Sequence, residues 1–279
     1  MAEEKNLNVM AAEIRKDVLR MTYEKKAGFI GTSFSCADIL AALYGRVMQY
    51  DPNDPEKAGS DVFLLSKGHG ASAWYAALAE AGVIDRERLF SEFNTSGYSM
   101  GVHPKRGSLP GVIASSGSLG QGAGLACGIA ASRKIKKESG HVFVLIGDGE
   151  INEGSNWEAF MFAKRYQLDN LTVILDRNRL QSYGHDEEVL NLGEMKPRFE
   201  SFGFTTREVN GHKPDEVAEA LFELCREKNK PTALICSTIK GKGFAEFEDK
   251  VLWHYKWPEK EHYEAALAEL NRQEEEALS

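Results

Sequence analysis

Gly147-Asp148-Gly149-Glu150-Ile151-Asn152-Glu153-Gly154 closes a mostly apolar run over residues 141–146. A second apolar run, 171–175, opens into Asp176-Arg177-Asn178-Arg179-Leu180, so that Asn178 follows Asp148 by 30 residues. Short apolar runs that stop abruptly at Gly and Asp read as buried strands. Between them, residues 155–167 place Trp157, Phe160, Met161, Ala163 and Lys164 at helix-compatible spacing. The unit is therefore strand, helix, strand, with the length of a parallel crossover. Such a crossover is right-handed in nearly every case and lays its strands side by side, pointing the same way. Asp148 and Asn178 then emerge at one carboxyl edge, where open α/β sheets bind their ligands. The predicted fold class is α/β, a mostly parallel sheet flanked by helices.

The residue types at that edge have their own chemistry. A carboxylate and an amide oxygen beside flexible glycines are hard oxygen ligands, suited to Mg²⁺ or Ca²⁺. Mg²⁺ uses one or two such groups and completes its octahedron with waters and phosphate oxygens. A metal-bridged diphosphate is the natural guest, and Gly149 lets the backbone come close enough to offer it an N–H.

Composition narrows the function classes. The 279 residues fit one large α/β domain spanning 1–279, although length alone also allows two. Asp and Glu outnumber Lys and Arg by 42 to 34, and no basic block interrupts that balance, which argues against a nucleic-acid partner. The opening Met1-Ala2-Glu3-Glu4-Lys5 has neither a basic start nor an apolar core, and no apolar run approaches a membrane span. No membrane partner and a cytoplasmic location are expected. Cys36, Cys127, Cys225 and Cys236 lack paired spacing and read as free thiols.

Upstream, residues 6–26 carry Val9, Ile14, Val18, Leu19 and Met21 at largely helical spacing; a Gly-rich turn is predicted over 27–33 and a second helix over 36–47. Residues 61–65 read as a strand that delivers Ser66-Lys67-Gly68-His69-Gly70 to the same sheet edge. An imidazole between glycines there can donate to a phosphate oxygen. Helices over 71–81 and 86–93 precede a loop over 94–111 that holds His103 and is too long and Gly-rich for a plain connection. Residues 115–128, dense in glycine, run into a helix ending near Lys137. They fail as a dinucleotide fingerprint, because no strand precedes them in the required way. Further on, strands are predicted over 204–209 and 232–238 and a helix over 214–228. Lys240 and Lys242, set among glycines at the sheet edge, read either as electrostatic partners of a diphosphate or as a solvated turn, the turn being favoured. An acidic amphipathic helix over 259–279 is either peripheral or a subunit contact.

Gly147-Asp148-Gly149 with Asn178, Leu65-Ser66-Lys67-Gly68-His69-Gly70 and Gly117-Ser118-Leu119-Gly120-Gln121-Gly122 stand in the order of the thiamine diphosphate motifs of the transketolases, and the chain resembles that family. The resemblance covers nearly the whole chain but only the N-terminal, diphosphate-binding part of such an enzyme. It implies the diphosphate-binding domain of the thiamine diphosphate-dependent fold, with thiamine diphosphate and Mg²⁺ (or Ca²⁺) as cofactors. Metal ligands would be Asp148, Asn178 and the backbone carbonyl of Leu180. His69 and Gly149 would hold the diphosphate, and Gly117 and Leu119 would lie against the aminopyrimidine. His103 is the implied substrate-side residue, with His254 the nearest match to a second. Glu153 would act at a cofactor-bearing subunit interface; for Glu158 that role and a plain favourable contact with the helix dipole stay open.

The resemblance also implies a missing half. The Glu that activates the cofactor sits in a pyrimidine-binding domain this chain lacks, so a second subunit with pyrimidine-binding and C-terminal domains is expected, two copies of each. The implied reaction is transfer of a two-carbon ketol unit from a ketose, phosphorylated or modified, to an aldose. One departure stands out: Phe29 occupies the place of a substrate-side His. It either packs under its turn or marks a different donor ketose. The rival readings are the α subunit of a 2-oxo acid dehydrogenase and a non-catalytic cofactor-binding subunit.

Overall fold

The computed structural model describes residues 5–191 and 193–279. Of the opening segment read as lacking a leader, only Lys5 falls within that range. Five strands, β1 (Val62–Leu65), β2 (Val142–Gly147), β3 (Leu171–Arg177), β4 (Thr205–Asn210) and β5 (Thr232–Ser237), form one sheet in the order β1-β2-β3-β5-β4. Every neighbouring pair is parallel. A parallel sheet must be covered on both faces, and β2 and β3 are buried along their whole length.

Alternation along the strands divides the core in two. Phe143, Leu145, Ile174 and Leu234 pack with the helices Leu7–Lys25, Ile30–Ser35, Ala71–Glu80 and Pro214–Leu224. Val144, Ile146, Val173, Leu175 and Ile235 pack with Gly122–Lys136, Gly154–Arg165 and Met195–Ser201. The chain steps from β1 to β2 to β3, passes over one position to β4, and returns to β5. That reversal explains the position of Pro214–Leu224, since a right-handed crossover travelling the other way must cover the opposite face.

Most predicted elements form, with local changes. The turn expected over 27–33 gives way to the helix Ile30–Ser35. The expected helix over 36–47 is Ala37–Ala42 followed by a wide π-helical turn, Leu43–Val47. Gly45 lies in that turn, and a Cβ there would come within 2.6 Å of Leu7 Cδ2. The helix expected to reach residue 228 ends at Leu224. Asp186–Val189 and Met195–Ser201 are short helices without a readable apolar period. The C-terminal helix, Lys260–Leu278, buries Ala266 and Leu270, and its Tyr263 stacks on Tyr23 of the first helix at 4.4 Å, so its apolar stripe is covered by its own chain. All four cysteines are free. No helix among the described residues is long and apolar enough to cross a membrane.

Candidate active site

The register pairs Gly147 with Asp176. Asp148 therefore stands one residue past β2 and Asn178 one past β3, on strands about 4.8 Å apart. Both side chains are buried, 3% and 7% exposed. Asp148 Oδ1 accepts from the Gly149 N–H at 2.9 Å and its Oδ2 from the Arg179 N–H, while Asn178 Oδ1 accepts from the Leu180 N–H at 3.1 Å. Arg179 takes a left-handed φ of 61°, the bend that turns the loop back toward Asp148. Together with Leu180, Gly149, His69, Leu119, Lys240 and His254 they line one cleft of ≈ 140 Å³.

At the floor of the cleft Lys67 forms a buried ion pair with Asp176. The period of two sends Asp176 to the same face as Ile174, toward the helix Ile30–Ser35. There its carboxylate accepts from the Lys67 ammonium, from Thr238 Oγ1 and from Ser35 Oγ at 2.6 Å. Lys67, 1% exposed, also donates to Thr32 Oγ1 at 2.9 Å and to the Thr32 carbonyl at 3.2 Å. Burial opposes both charges, yet each partner offsets it: Asp176 stays below its ordinary pKa and Lys67 above.

A second buried acid fixes the glycine loop. Glu150 accepts from Ser66 Oγ, from the Gly120 N–H at 2.8 Å and from the Gly147 N–H at 3.2 Å, tying residues 117–122 to the ends of β1 and β2. Only glycine fits at 122, where a Cβ would lie 2.3 Å from Ser66 Cβ.

The lining of the cleft is charged but incompletely paired. Burial, and then repulsion from Asp176, pushes the Asp148 carboxyl up to about 6, against the pull of Lys240 and Arg177. Burial pushes Lys240 down to about 8. His254 is driven to about 3 by burial and by Lys240 and Lys67, and His69 well below its usual value by burial and Lys67, so both imidazoles are neutral at physiological pH. Lys240 Nζ donates to the Leu180 carbonyl at 2.9 Å. Two atoms of lining residues, Gln181 Nε2 and His254 Nδ1, are buried without a hydrogen-bond partner. One carboxylate, one amide oxygen and one carbonyl beside an ammonium and an orphaned amide N–H₂ fit a hard divalent cation carrying a diphosphate. Among the described residues no group of three or more His, Cys, Asp or Glu is placed as a metal cage, so a cation here would draw its remaining ligands from water and phosphate.

The cleft gathers Asp148, Gly149, Asn178, Leu180, His69, Leu119 and His254. It does not gather His103, Gly117, Glu153 or Glu158. His103 stands beyond Phe29, at 5.5 Å between ring centroids, with its pKa lowered by burial. Gly117, at φ 142°, lies against the His103 ring, where a Cβ would be 3.0 Å from Cδ2. Glu153 is exposed at the start of Gly154–Arg165, beside Gly120; Glu158 is exposed one turn on. Of the two readings for Lys240 and Lys242, the solvated turn holds for Lys242 and not for Lys240. Lys242 is on the surface, paired with Glu248 at 3.2 Å, whereas Lys240 is 3% exposed and points into the cleft.

Residues 7–257 match the family model described as transketolase, thiamine diphosphate binding domain. The chain belongs to the transketolase family. It is 37% identical over 265 residues to an apulose-4-phosphate transketolase subunit of Phocaeicola vulgatus, covering 95% of this chain and 94% of that one. It is 36% identical to the 6-deoxy-6-sulfo-D-fructose transketolase subunit SqwG of a Clostridium species, covering 96% and 97%. Among solved structures, the transketolase from Leishmania mexicana superposes with a TM-score of 0.87 at 25% identity, over 99% of this chain but only 45% of the other. The chain thus spans less than half of that transketolase yet nearly all of the two subunit-length relatives.

Several residues of this transketolase site were not singled out in the sequence: Lys67, Asp176, Glu150, Thr32 and Gln181. Lys67 carried the best signal, adjoining Gly68-His69. Glu150 and Asp176 sit inside the quoted motifs, but only the fold shows that their carboxylates turn inward while Asp148 faces the cleft.

Proposed function

We propose that this chain is the diphosphate-binding subunit of a two-chain transketolase, which moves a two-carbon ketol unit from a ketose to an aldose with thiamine diphosphate and Mg²⁺ (or Ca²⁺). One observation carries the reading: Asp148, Asn178 and the Leu180 carbonyl converge in a cleft that also holds the ammonium groups of Lys240 and Lys67, two imidazoles and an unpaired amide. The three oxygens are the metal ligands. His69, Lys240 and the Gly149 N–H hold the diphosphate, and Gly117 and Leu119 border the aminopyrimidine. The carbanion chemistry of the transfer belongs to the thiamine diphosphate when bound. His103 and His254, kept neutral by burial, can each donate and accept a hydrogen bond, which orients substrate hydroxyls and carries protons between them. The Lys67–Asp176 pair and Glu150 hold the strand ends and glycine loop that position these groups.

The cleft also explains why a partner is needed. At ≈ 140 Å³ it falls short of the roughly 300–1,000 Å³ of sites that enclose a whole drug-sized ligand. The remaining walls come from a second subunit with pyrimidine-binding and C-terminal domains, two copies of each chain, with residues 1–279 forming one domain here. Exposed Glu153 faces that subunit. The subunit names of the relatives support a partner chain, and four free thiols support a reducing, cytoplasmic setting. Co-purification with the partner, followed by ketol-transfer assays over a panel of ketoses, tests the proposal. The pair should be active and the isolated chain nearly inert. Full transfer by the isolated chain overturns the two-chain reading, and a pair that binds cofactor yet transfers from no donor overturns the activity.

A further inference from the structure

Four rings meet beside the cleft. Phe29 lies 5.8 Å from His69, 5.5 Å from His103 and 5.6 Å from His254 between ring centroids, at interplanar angles of 80°, 65° and 56°. These are the tilted and edge-on arrangements aromatic pairs prefer. His69 and His254 are themselves 5.6 Å apart. One hydrocarbon ring is thus surrounded by imidazoles from three separate segments of the chain. Its direction is set by Gly28, whose φ of +103° and whose approach to Thr22 and Phe93, 3.0 and 3.5 Å from a Cβ built there, admit no side chain. Phe29 stays partly exposed while Ile30 beside it is fully buried.

The polarity of this cluster is uneven. His254 Nε2 shares a 3.2 Å hydrogen bond with Ser182 Oγ, and its Nδ1 is left without a partner. Imidazole nitrogens can take up the hydroxyls of a sugar, but Phe29 offers neither donor nor acceptor. A hydroxyl laid against it gives up its water and receives nothing in return, whereas a hydrogen or carbon substituent gains close contact.

Resting on the transketolase reading above, we infer that Phe29 is a specificity-determining residue: it selects ketose donors that present a hydrogen or a carbon substituent, rather than a hydroxyl, to its ring. The size of the preference has a ceiling, because an apolar wall rejects an added hydroxyl by no more than about 100-fold.

The test uses the complete complex with its partner subunit. kcat/KM is measured for pairs of ketoses that differ by one hydroxyl replaced with hydrogen, at each carbon from C4 onward, because the C1 hydroxyl belongs to the transferred ketol and the C3 hydroxyl becomes the released aldehyde. At one carbon the wild-type complex should favour the deoxy member by about 10- to 100-fold. Phe29→His, which restores a hydrogen-bonding group, should bring that ratio to unity or reverse it, and Phe29→Leu should retain it. Ratios unchanged by Phe29→His at every carbon overturn the inference. So does a Phe29→His complex inactive toward all donors while Phe29→Leu remains active, because the ring would then be a scaffold for the imidazoles and not a selector. A wild-type complex that transfers from no donor overturns the functional reading itself, and this inference with it; an active one with flat ratios overturns this inference alone.

Discussion

At the amino end of the sheet Asp61 accepts from the main-chain N–H groups of Gln49 at 2.8 Å and His141 at 2.7 Å. The His141 ring shares a 2.7 Å hydrogen bond with Thr172 Oγ1, which shares another of 2.7 Å with Thr232. At the carboxyl end of the same strands Asp148 is forced up to about 6, and Gln181 and His254 keep a buried polar atom unpaired. An unpaired buried polar group costs about 1–3 kcal/mol. Both ends are polar and both hold an acid out of full solvent contact, Asp61 half-buried and Asp148 buried, so charge alone does not distinguish them. The difference lies in the acids and their neighbours: Asp61 and the His141–Thr172–Thr232 circuit pair among themselves, with Asn170 Oδ1, Thr206 Oγ1 and Arg133 Nη1 left over nearby, whereas the unpaired atoms of Gln181 and His254 line one cleft with Asp148.

The largest expected effect tests whether the carboxyl end is open throughout or only at its surface. Lys67, at the floor of the cleft, and Asp176, behind it, are satisfied there. Lys67→Met or Asp176→Leu alone strands a buried charge and should lower the unfolding free energy by about 3–5 kcal/mol, while the double replacement should recover most of that loss. Urea midpoints with the slope held in view measure it. Single replacements that barely shift the midpoint would mean that this floor is as open as the cleft above it.

A crossed pair of substitutions sharpens the contrast at intermediate size. Asp61→Ala removes the acceptor of two main-chain N–H groups and should cost about 2–3 kcal/mol of stability, leaving affinity for Mg²⁺ and thiamine diphosphate unchanged. Asp148→Asn should do the reverse. Its charge is already disfavoured in the fold, so stability at pH 7 should hold or rise, while calorimetric affinity for the metal-bound cofactor falls by at least about 10-fold. Similar affinity losses in both variants would erase the distinction between the two ends.

The carboxyl end was largely legible in the sequence and the amino end was not. Asp148 and Asn178 could be placed together because a strand–helix–strand unit has one handedness and one direction, and backbone rules suffice for that. Leu180 needed only a carbonyl. Lys240 could not be told from Lys242 because sequence shows flanking glycines and not depth: the two share their local context, yet one ammonium turns inward to the Leu180 carbonyl and the other meets Glu248 at the surface. Phe29 was visible as a departure, but its enclosure by three imidazoles depends on loops brought together only in the fold. The circuit from Asp61 to Thr232 joins β1, β2, β3 and β5 through residues with no motif spacing, so nothing short of the strand order could have found it.

His141 provides the smallest and most local test of that circuit. Burial pushes its imidazole from 6.5 down to about 4. The folded chain therefore holds it neutral at a pH where the unfolded chain has already taken up a proton. Its contribution to stability is complete above pH 6.5 and is lost as pH falls through about 4, because the unfolded state binds more protons across that window. One such group gives a slope of at most about 1.4 kcal/mol per pH unit. His141→Gln keeps a hydrogen-bonding end for Thr172 and removes the titration. Urea midpoints against pH should run parallel for wild type and variant above neutrality and diverge below pH 6.5, with the wild type falling faster. His254, pushed to about 3, contributes with the same sign in both proteins and cancels in the difference. If the curves stay parallel to pH 4, the threonine hydroxyls are not holding a neutral ring, water reaches it, and the amino end is as open as the cleft.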